Sequence, residues 1–150
     1  MSFVLGIDTS NYTTSCALLD TADMSVRSCK KLLPVKQGER GLRQSDAVFH
    51  HTKQLPELMK QLFDKRYDLS AVGYSYAPRC AEGSYMPCFL VGENVAQAVS
   101  LACGADLEKT SHQVGHILAA LYSCGKLDML SSDTVSYTHL TLPTKLEVEI

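Results

Sequence analysis

The chain has 150 residues, of which 45% are hydrophobic and 20% charged, a composition that suits one globular domain and excludes a disordered chain. Lys and Arg number 14 against 16 Asp and Glu, so the net charge of -2 excludes a general electrostatic attraction to nucleic acid or to an anionic membrane. Any such partner would need a local patch of basic side chains.

The sequence predicts no export signal and no membrane anchor. Residues Met1–Gly6 lack the basic region of a signal peptide, and Asp8 comes too early for its apolar region. The apolar stretch Cys88–Ala105 is interrupted by Glu93, which favours a buried helix over a membrane span. We therefore expect a cytoplasmic chain with six reduced cysteines. None of them forms a C-x-x-C pair, so a zinc knuckle is not expected.

Three consecutive strands are predicted at the start of the chain. The apolar run Phe3–Asp8 ends at a polar turn, and Thr13–Leu19 resumes in β-branched and apolar residues, which together predict a hairpin. A third strand is predicted over about Val26–Val35, and Pro34 closes it because proline lacks the backbone donor.

Helices and strands alternate after the third strand. Asp46 is the predicted N-cap of an amphipathic helix that runs to Phe63, and Pro56 either kinks this helix or begins a second segment. The remaining elements are a strand Leu69–Tyr76, a loop, a helix Cys88–Cys103 ended by Gly104, a weak strand Leu107–Ser111 and a helix closed at Gly125. The order βββαβα, then a weak β and α, predicts an α/β fold with a mixed sheet.

The first candidate for chemistry is a pair of histidines. His112 and His116 are four residues apart at the start of the last predicted helix, so both side chains project from one face and can reach one divalent cation. Zinc and iron suit two imidazoles, but such a site needs further ligands. The alternative is a pair of ordinary surface histidines. The glutamate of the H-E-x-x-H peptidase motif is missing, which disfavours a zinc peptidase.

The second candidate is the polar turn after the first strand. It contains Asp8, Thr9, Ser10, Asn11 and Thr13. Backbone N–H groups and hydroxyls in such a turn can hold phosphate oxygens, and a carboxylate can bind a metal-bound water. The alternative is an ordinary hairpin loop.

A third feature is a cluster of basic residues in and after the third strand. It comprises Arg27, Lys30, Lys31, Lys36, Arg40 and Arg43. The cluster could contact a phosphate backbone, although a solvated strand face explains it as well.

Four motifs in this order resemble one family. They are Leu5–Ser10 opening the hairpin, Gln54–Pro56 in the first helix, Phe89–Gly92 in the second, and the H-x-x-G-H pair His112–His116. In this combination the chain resembles the TsaD/Gcp family, long called the O-sialoglycoprotein endopeptidases or glycoproteases. The resemblance extends over roughly residues 3 to 130.

The resemblance implies a fold, a reaction and partners. The fold is one lobe of the actin-like ATPase architecture, which is ribonuclease H-like. The reaction is transfer of a threonylcarbamoyl group from threonylcarbamoyl-AMP to N6 of adenosine 37 in tRNA. The implied cofactors are ATP or threonylcarbamoyl-AMP and a divalent metal, either iron or zinc, or magnesium with the nucleotide. The implied partners are tRNA and proteins of the TsaB/TsaE or KEOPS type.

The resemblance also assigns residues. His112 and His116 are the implied metal ligands, and the turn from Asp8 onward lies at the nucleotide phosphates. No nucleophilic side chain is required, because the metal would orient the reacting oxygens and stabilise their charge.

The sequence departs from the family pattern in three places. Asn11, Tyr12 and Thr13 replace a cysteine and two acids in the opening turn, and Ala77–Arg79 replaces a Gly-Pro-Gly loop. The family's second lobe, with its later phosphate loop and an aspartate that completes the metal site, is absent. We therefore expect an inactive N-terminal lobe over residues 1–133, which self-associates through its exposed cleft face.

The last residues resemble translated adaptor sequence, so residues 134–150 are expected to be a non-native read-through tail. A native strand ending in Leu146–Ile150 is the alternative, because the apolar residues there alternate. Three other functions remain open: a non-catalytic scaffold of the TsaB type, a small-molecule kinase of the same superfamily, and the historical peptidase activity.

Overall fold

A computed structural model describes residues 2–35 and 41–131 of the chain. The chain forms two compact units. The first comprises Met1–His112 and the second begins at Gln113. The predicted boundary near residue 133 and the tail after it lie outside the described residues.

The first unit is built on a mixed five-stranded sheet. Its strands are β1 Phe3–Asp8, β2 Thr13–Asp20, β3 Val26–Leu32, β4 Leu69–Ala77 and β5 Asp106–Ser111, in the order β3-β2-β1-β4-β5. The pairs β1–β2 and β2–β3 are antiparallel, whereas β1–β4 and β4–β5 are parallel. The carboxyl ends of β1, β4 and β5 therefore meet at one edge of the sheet.

Three helices and one short 3₁₀ segment complete the described elements. They are α1 Gln44–Leu62, α2 Phe89–Cys103, α3 His112–Ser123 and the 3₁₀ segment Leu127–Ser131. Gly104 ends α2 in the left-handed conformation, with φ of 67°, as the sequence predicts. The predicted element order is confirmed.

The main core lies between one face of the sheet and the helices α1 and α2. Alternate strand residues point to this face, as the two-residue period of a strand requires. They include Leu5 and Ile7 of β1, Leu18 of β2 and Val72 of β4, all nearly or fully buried. From α1, Leu55, Leu58 and Leu62 pack against them at helical spacing.

Two local predictions are wrong, and a third position, Pro56, is decided between the two alternatives. Arg43, not Asp46, is the N-cap of α1. Asp46 lies in the first turn, where its negative charge interacts favourably with the positive end of the helix dipole. Strand β3 ends at Leu32 because the next residue, Leu33, turns inward, donates its N–H to the Tyr12 carbonyl at 2.8 Å and is buried. Helix α1 continues through the exposed Pro56, so no second segment begins there.

Two exclusions from the sequence can be compared with the structure. Among the described helices none is long and apolar enough to cross a membrane. All six cysteines are free thiols in this structure.

The basic cluster of the third strand is partly neutralised in the structure. Arg27 pairs with Asp64 at 3.4 Å, and Lys31 pairs with Glu57 of α1 at 3.3 Å. Lys36 and Arg40 lie outside the described residues. These pairs favour the solvated strand face over a free phosphate-binding patch.

Candidate nucleotide and metal site

The carboxyl ends of the parallel strands bring together residues that are far apart in sequence. Asp8 ends β1, Ser75 lies near the end of β4, and His112 follows β5 directly. In open α/β sheets this edge is where ligands bind.

The Asp8 carboxylate is the centre of this group. Its Oδ1 accepts the backbone N–H of Ser10 at 2.8 Å. Its Oδ2 accepts the Ser75 hydroxyl at 2.6 Å and lies 2.8 Å from Nδ1 of His112. The Asp8 side chain is 24% exposed and that of His112 33%, so the pair is partly open to solvent.

The carboxylate is strongly stabilised in its charged form. Burial alone raises the pKa of Asp8, but the hydrogen bonds from His112, Ser10 and Ser75 outweigh burial and hold the pKa well below its usual range. Asp8 therefore carries a negative charge at neutral pH and acts only as a hydrogen-bond acceptor.

The arrangement is not a nucleophilic triad. In a Ser-His-Asp triad the serine hydroxyl bonds to the histidine, which removes its proton. Here the Ser75 hydroxyl donates to the Asp8 carboxylate instead of to a histidine, so the serine–histidine bond of a triad is not formed. Neither the peptidase chemistry nor any acyl-serine mechanism is supported by this geometry.

The opening turn lies directly beyond Asp8. The N–H of Thr13 bonds to the Ser10 carbonyl at 3.1 Å and closes the turn. Asn11 takes a positive φ of 43°, a conformation that asparagine adopts more readily than most residues. The exposed tip of the turn is therefore formed by Asn11 and Tyr12.

Thr9 attaches this turn to the first turn of α2. Its hydroxyl donates to the Cys88 carbonyl at 2.9 Å and accepts the Gly92 N–H at 3.0 Å. These two groups are four residues apart, so the hydroxyl stands where a helical i to i-4 hydrogen bond would otherwise form. Thr9 is fully buried and its hydroxyl is fully engaged within the fold.

A buried polar network lies at the start of β2. The Gln54 side-chain N–H donates to the Leu32 carbonyl at 3.2 Å, so the Gln54 Oε1 is the atom that accepts the Thr14 hydroxyl proton at 2.9 Å. The single Thr14 proton is then used, and Nδ1 of His51 must donate to the Thr14 oxygen at 2.8 Å. This network ties α1 to both β2 and β3.

The structure brings some of the predicted site residues together. Asp8, Thr9, Ser10, Asn11 and Thr13 all lie in or beside the opening turn, and His112 contacts Asp8. His116 follows one turn later in α3 but belongs to the second unit. Within residues 2–35 and 41–131, no group of three His, Cys, Asp or Glu side chains could hold a metal ion. The metal and nucleotide assignments stay predictions.

Ser75 and Phe89 belong to the site but were not predicted. The Phe89 ring, which is buried, meets the His112 ring edge-on with centroids 6.5 Å apart. A serine in a strand is a common core feature, so no local pattern marks Ser75. Phe89 stands in the Phe89–Gly92 motif of the family resemblance, but that motif gave no sign of a contact with His112.

Comparisons with known proteins agree with the family resemblance. No family model matches the chain. The tRNA N6-adenosine threonylcarbamoyltransferase of Pyrobaculum calidifontis is 28% identical over 131 residues, covering 85% of this chain and 37% of that protein. The protein of the same name from Campylobacter curvus is 28% identical over 123 residues, covering 81% of this chain and 35% of that protein. The resemblance to the threonylcarbamoyltransferase family is confirmed.

The fold is also confirmed by a solved structure. YeaZ from Pseudomonas aeruginosa superimposes with a TM-score of 0.58 at 20% identity, covering 83% of this chain and 51% of that one. The chain is an α/β lobe of the actin-like ATPase type. It spans little more than a third of the length of the curated threonylcarbamoyltransferases it matches.

Proposed function

We propose that this chain supplies the nucleotide-facing and metal-facing lobe of a tRNA threonylcarbamoyltransferase. The complete enzyme would move a threonylcarbamoyl group from threonylcarbamoyl-AMP to N6 of an adenosine in tRNA. The lobe alone would be inactive. The observation that carries the proposal is the contact between Asp8 and His112 beside the opening turn, in a chain whose relatives are named for this reaction.

Two histidines of the chain are the proposed ligands of a divalent cation, and any third ligand would have to come from outside the residues that the structure describes. A metal-binding histidine commonly donates its other ring N–H to a carboxylate, and Asp8 accepts from Nδ1 of His112 in this way. His116, one helical turn later in α3, is the second proposed ligand. When bound, such a cation supplies positive charge that stabilises the developing charge on carbonyl and phosphate oxygens.

The chain's own residues would bind and orient the adenylate. The opening turn, with Ser10, Asn11 and Thr13, would face the phosphate group. Thr9 contributes by fixing the turn to α2, since both hydrogen-bonding functions of its hydroxyl are already used. No covalent intermediate on the protein is needed, because the attacking group is the adenosine amine.

A chimera tests this function directly. The segment of the Pyrobaculum calidifontis transferase that aligns with this chain would be replaced by residues 3–130, and threonylcarbamoyladenosine in tRNA measured by mass spectrometry. We expect product with the chimera, and a loss of at least about 100-fold when His112→Ala is added. His50→Ala, a histidine of α1 beside Phe49, is the matched control and should leave product unchanged.

Two outcomes would count against the proposal. A folded chimera that binds tRNA but forms no product would favour a non-catalytic scaffold of the TsaB type. An undiminished amount of product with His112→Ala would contradict the proposal that His112 binds the metal.

A further inference from the structure

Two of the cysteines stand opposite each other on neighbouring strands. In the antiparallel register of β2 and β3, Cys16 is the direct partner of Cys29. Cys16 belongs to the main core and is buried, while Cys29 is half-buried and packs against the same core. The two thiols therefore lie on one face of the sheet, and β3 stands at one end of the strand order.

The hydrogen bonds of the ladder fix the spacing of this pair. The Asp20 N–H donates to the Ser25 carbonyl at 2.9 Å in the same register, and hydrogen-bonded pairs recur at every second residue of an antiparallel ladder. Cys16, four residues before Asp20, therefore forms a hydrogen-bonded pair with Cys29. The Cα atoms of such a pair are about 5.5 Å apart, which lies inside the range of about 4.4–6.8 Å found in disulfides.

A disulfide between these two residues would be strained. The Cβ atoms of a hydrogen-bonded pair are about 5.5 Å apart, whereas a disulfide needs a separation of about 3.5–4.5 Å. Strand β3 can supply the movement, because its residues are mostly exposed and it has a neighbouring strand on one side only among the described residues. Strain of this kind makes a disulfide easier to reduce.

We propose that Cys16 and Cys29 form a reversible redox site, at which glutathione disulfide oxidises the two thiols to one disulfide between β2 and β3. In reducing compartments the disulfides that do form are mostly transient or redox-sensing, and an easily reduced bond suits that role. The inference does not depend on the proposed function, because neither cysteine belongs to the candidate site.

The oxidation takes place in two exchange steps. Cys29, the more accessible thiol, loses its proton to solvent, and its thiolate attacks one sulfur of glutathione disulfide and releases one glutathione. Cys16 then loses its proton, and its thiolate attacks the Cys29 sulfur and releases the second glutathione. The protein gives up two electrons and two protons, and the electrons reduce glutathione disulfide.

The second step should be the slower one. Burial, with a smaller contribution from the Cys29 thiol, raises the pKa of Cys16 to about 11, so its thiolate is scarce at neutral pH. Added alkylating reagents cannot reach this buried thiol, whereas the sulfur of Cys29 stands directly opposite it. Cys16 can therefore be protected from reagents in solution and still react with its neighbour.

A variant without exposed thiols gives the clearest test. It carries Cys80→Ser, Cys103→Ser and Cys124→Ser. The folded variant is incubated with glutathione disulfide at about pH 8, where more of each thiol is ionised. The reaction is stopped with acid, and the remaining free thiols are blocked with N-ethylmaleimide in urea.

Peptide mass spectrometry then locates the new bond. Trypsin cuts after Arg27 and Lys30, so the two cysteines fall on separate peptides, residues 1–27 and 28–30. We expect these peptides joined by a disulfide, with a mass lower than their sum by that of two hydrogen atoms. Excess reduced glutathione should restore both free thiols, because the strained bond is easily reduced.

Two further variants serve as controls. Ser28→Cys combined with Cys29→Ser moves the thiol by one residue, opposite Ala17 on the other face of the sheet, and should abolish the joined peptides. Cys88→Ser removes the other buried thiol and should leave the joined peptides unchanged.

Three outcomes would overturn the inference. Cys29 that stays unmodified, or that carries glutathione without joining Cys16, would show that the two thiols do not react with each other. Joined peptides that form only in urea would show that the folded register is not their cause. Joined peptides that persist in excess reduced glutathione would exclude a reversible site. If the variant fails to fold, the same mapping of the unmodified chain decides, since the two cysteines lie on separate peptides there as well.

Discussion

Gly92 donates its backbone N–H to the side-chain hydroxyl of Thr9, at a distance of 3.0 Å. This bond joins the second helix to the residue that follows Asp8, and so couples helix α2 to the opening turn. The approach is close enough that a side chain at residue 92 would collide with Thr9. The position therefore depends on glycine for space, not for an unusual φ.

Gly92→Ala should destabilise the protein. A Cβ at this position would lie 2.9 Å from Oγ1 of Thr9 and 3.2 Å from a methyl group of Ile7. Overpacking of this kind costs about 1–3 kcal/mol, which exceeds the roughly 1 kcal/mol that alanine gains over glycine in a helix. Urea unfolding followed by circular dichroism measures the change in the free energy of unfolding.

Gly115→Ala is the control for that experiment. A Cβ at Gly115 of α3 would meet no atom of the described residues within 4 Å, so the helix preference of alanine should dominate. We expect opposite signs for the two substitutions. Equal changes in the free energy of unfolding for alanine at Gly92 and at Gly115 would show that the close contact with Thr9 does not affect stability.

Asn11 should tolerate glycine better than alanine. Its φ of 43° lies in the left-handed region, which costs most residues with a Cβ about 1–2 kcal/mol. Asn11→Ala should therefore lower the free energy of unfolding by about 1 kcal/mol, whereas Asn11→Gly should change it by less than about half of that. Thermal unfolding of both variants is sufficient to compare them. If the two variants melt together, the turn does not hold Asn11 in this conformation.

The sequence was informative about elements and much less so about the site. Apolar periods of two and of 3.6 residues predicted the order of strands and helices, because these periods follow from local backbone geometry. Strand β3 was predicted too long because its end depends on a contact between Leu33 and Tyr12, which no local pattern encodes. The contacts of Asp8 with Ser75 and His112 span 67 and 104 residues, so only the sheet topology brings them together.

Cys80 should be the most reactive thiol of the chain. It is exposed, and hydrogen bonds with Ser111 and Tyr76 hold the pKa of its thiol below the usual range. By contrast, burial raises the pKa of Cys16 to about 11, and burial also raises the pKa of Cys88. Because the thiolate is the nucleophile, alkylation should follow this order.

Brief treatment with iodoacetamide at pH 7, followed by peptide mass spectrometry, measures the rates. We expect Cys80 to react faster than Cys103, which is also exposed, and the buried Cys16 to be protected until the protein unfolds. Tyr76→Phe should slow Cys80 by removing one of its hydrogen bonds while leaving Cys103 unchanged. If Tyr76→Phe left the alkylation rate of Cys80 unchanged, the hydrogen bond with Tyr76 would not be a cause of the reactivity of this thiol.

Protonation of His51 should destabilise the fold below neutral pH. Its side chain is fully buried, Nδ1 donates to Thr14, and Nε2 has no hydrogen-bond partner among the residues that the structure describes. Burial lowers the pKa of His51 from its ordinary 6.5. Between the lowered pKa and 6.5, the unfolded state binds more protons than the folded state, so the free energy of unfolding rises with pH across this interval.

Urea unfolding at several pH values between about 5 and 8 tests this prediction. The protein should become less stable as the pH falls below 6.5, and His51→Gln should reduce this dependence because glutamine does not titrate. The neighbouring His50→Gln is the matched control and should retain the full dependence. If the pH dependence persisted in His51→Gln, a group other than His51 would be responsible for it. The buried network of His51 with Thr14 and Gln54 would then not be the origin of the loss of stability at low pH.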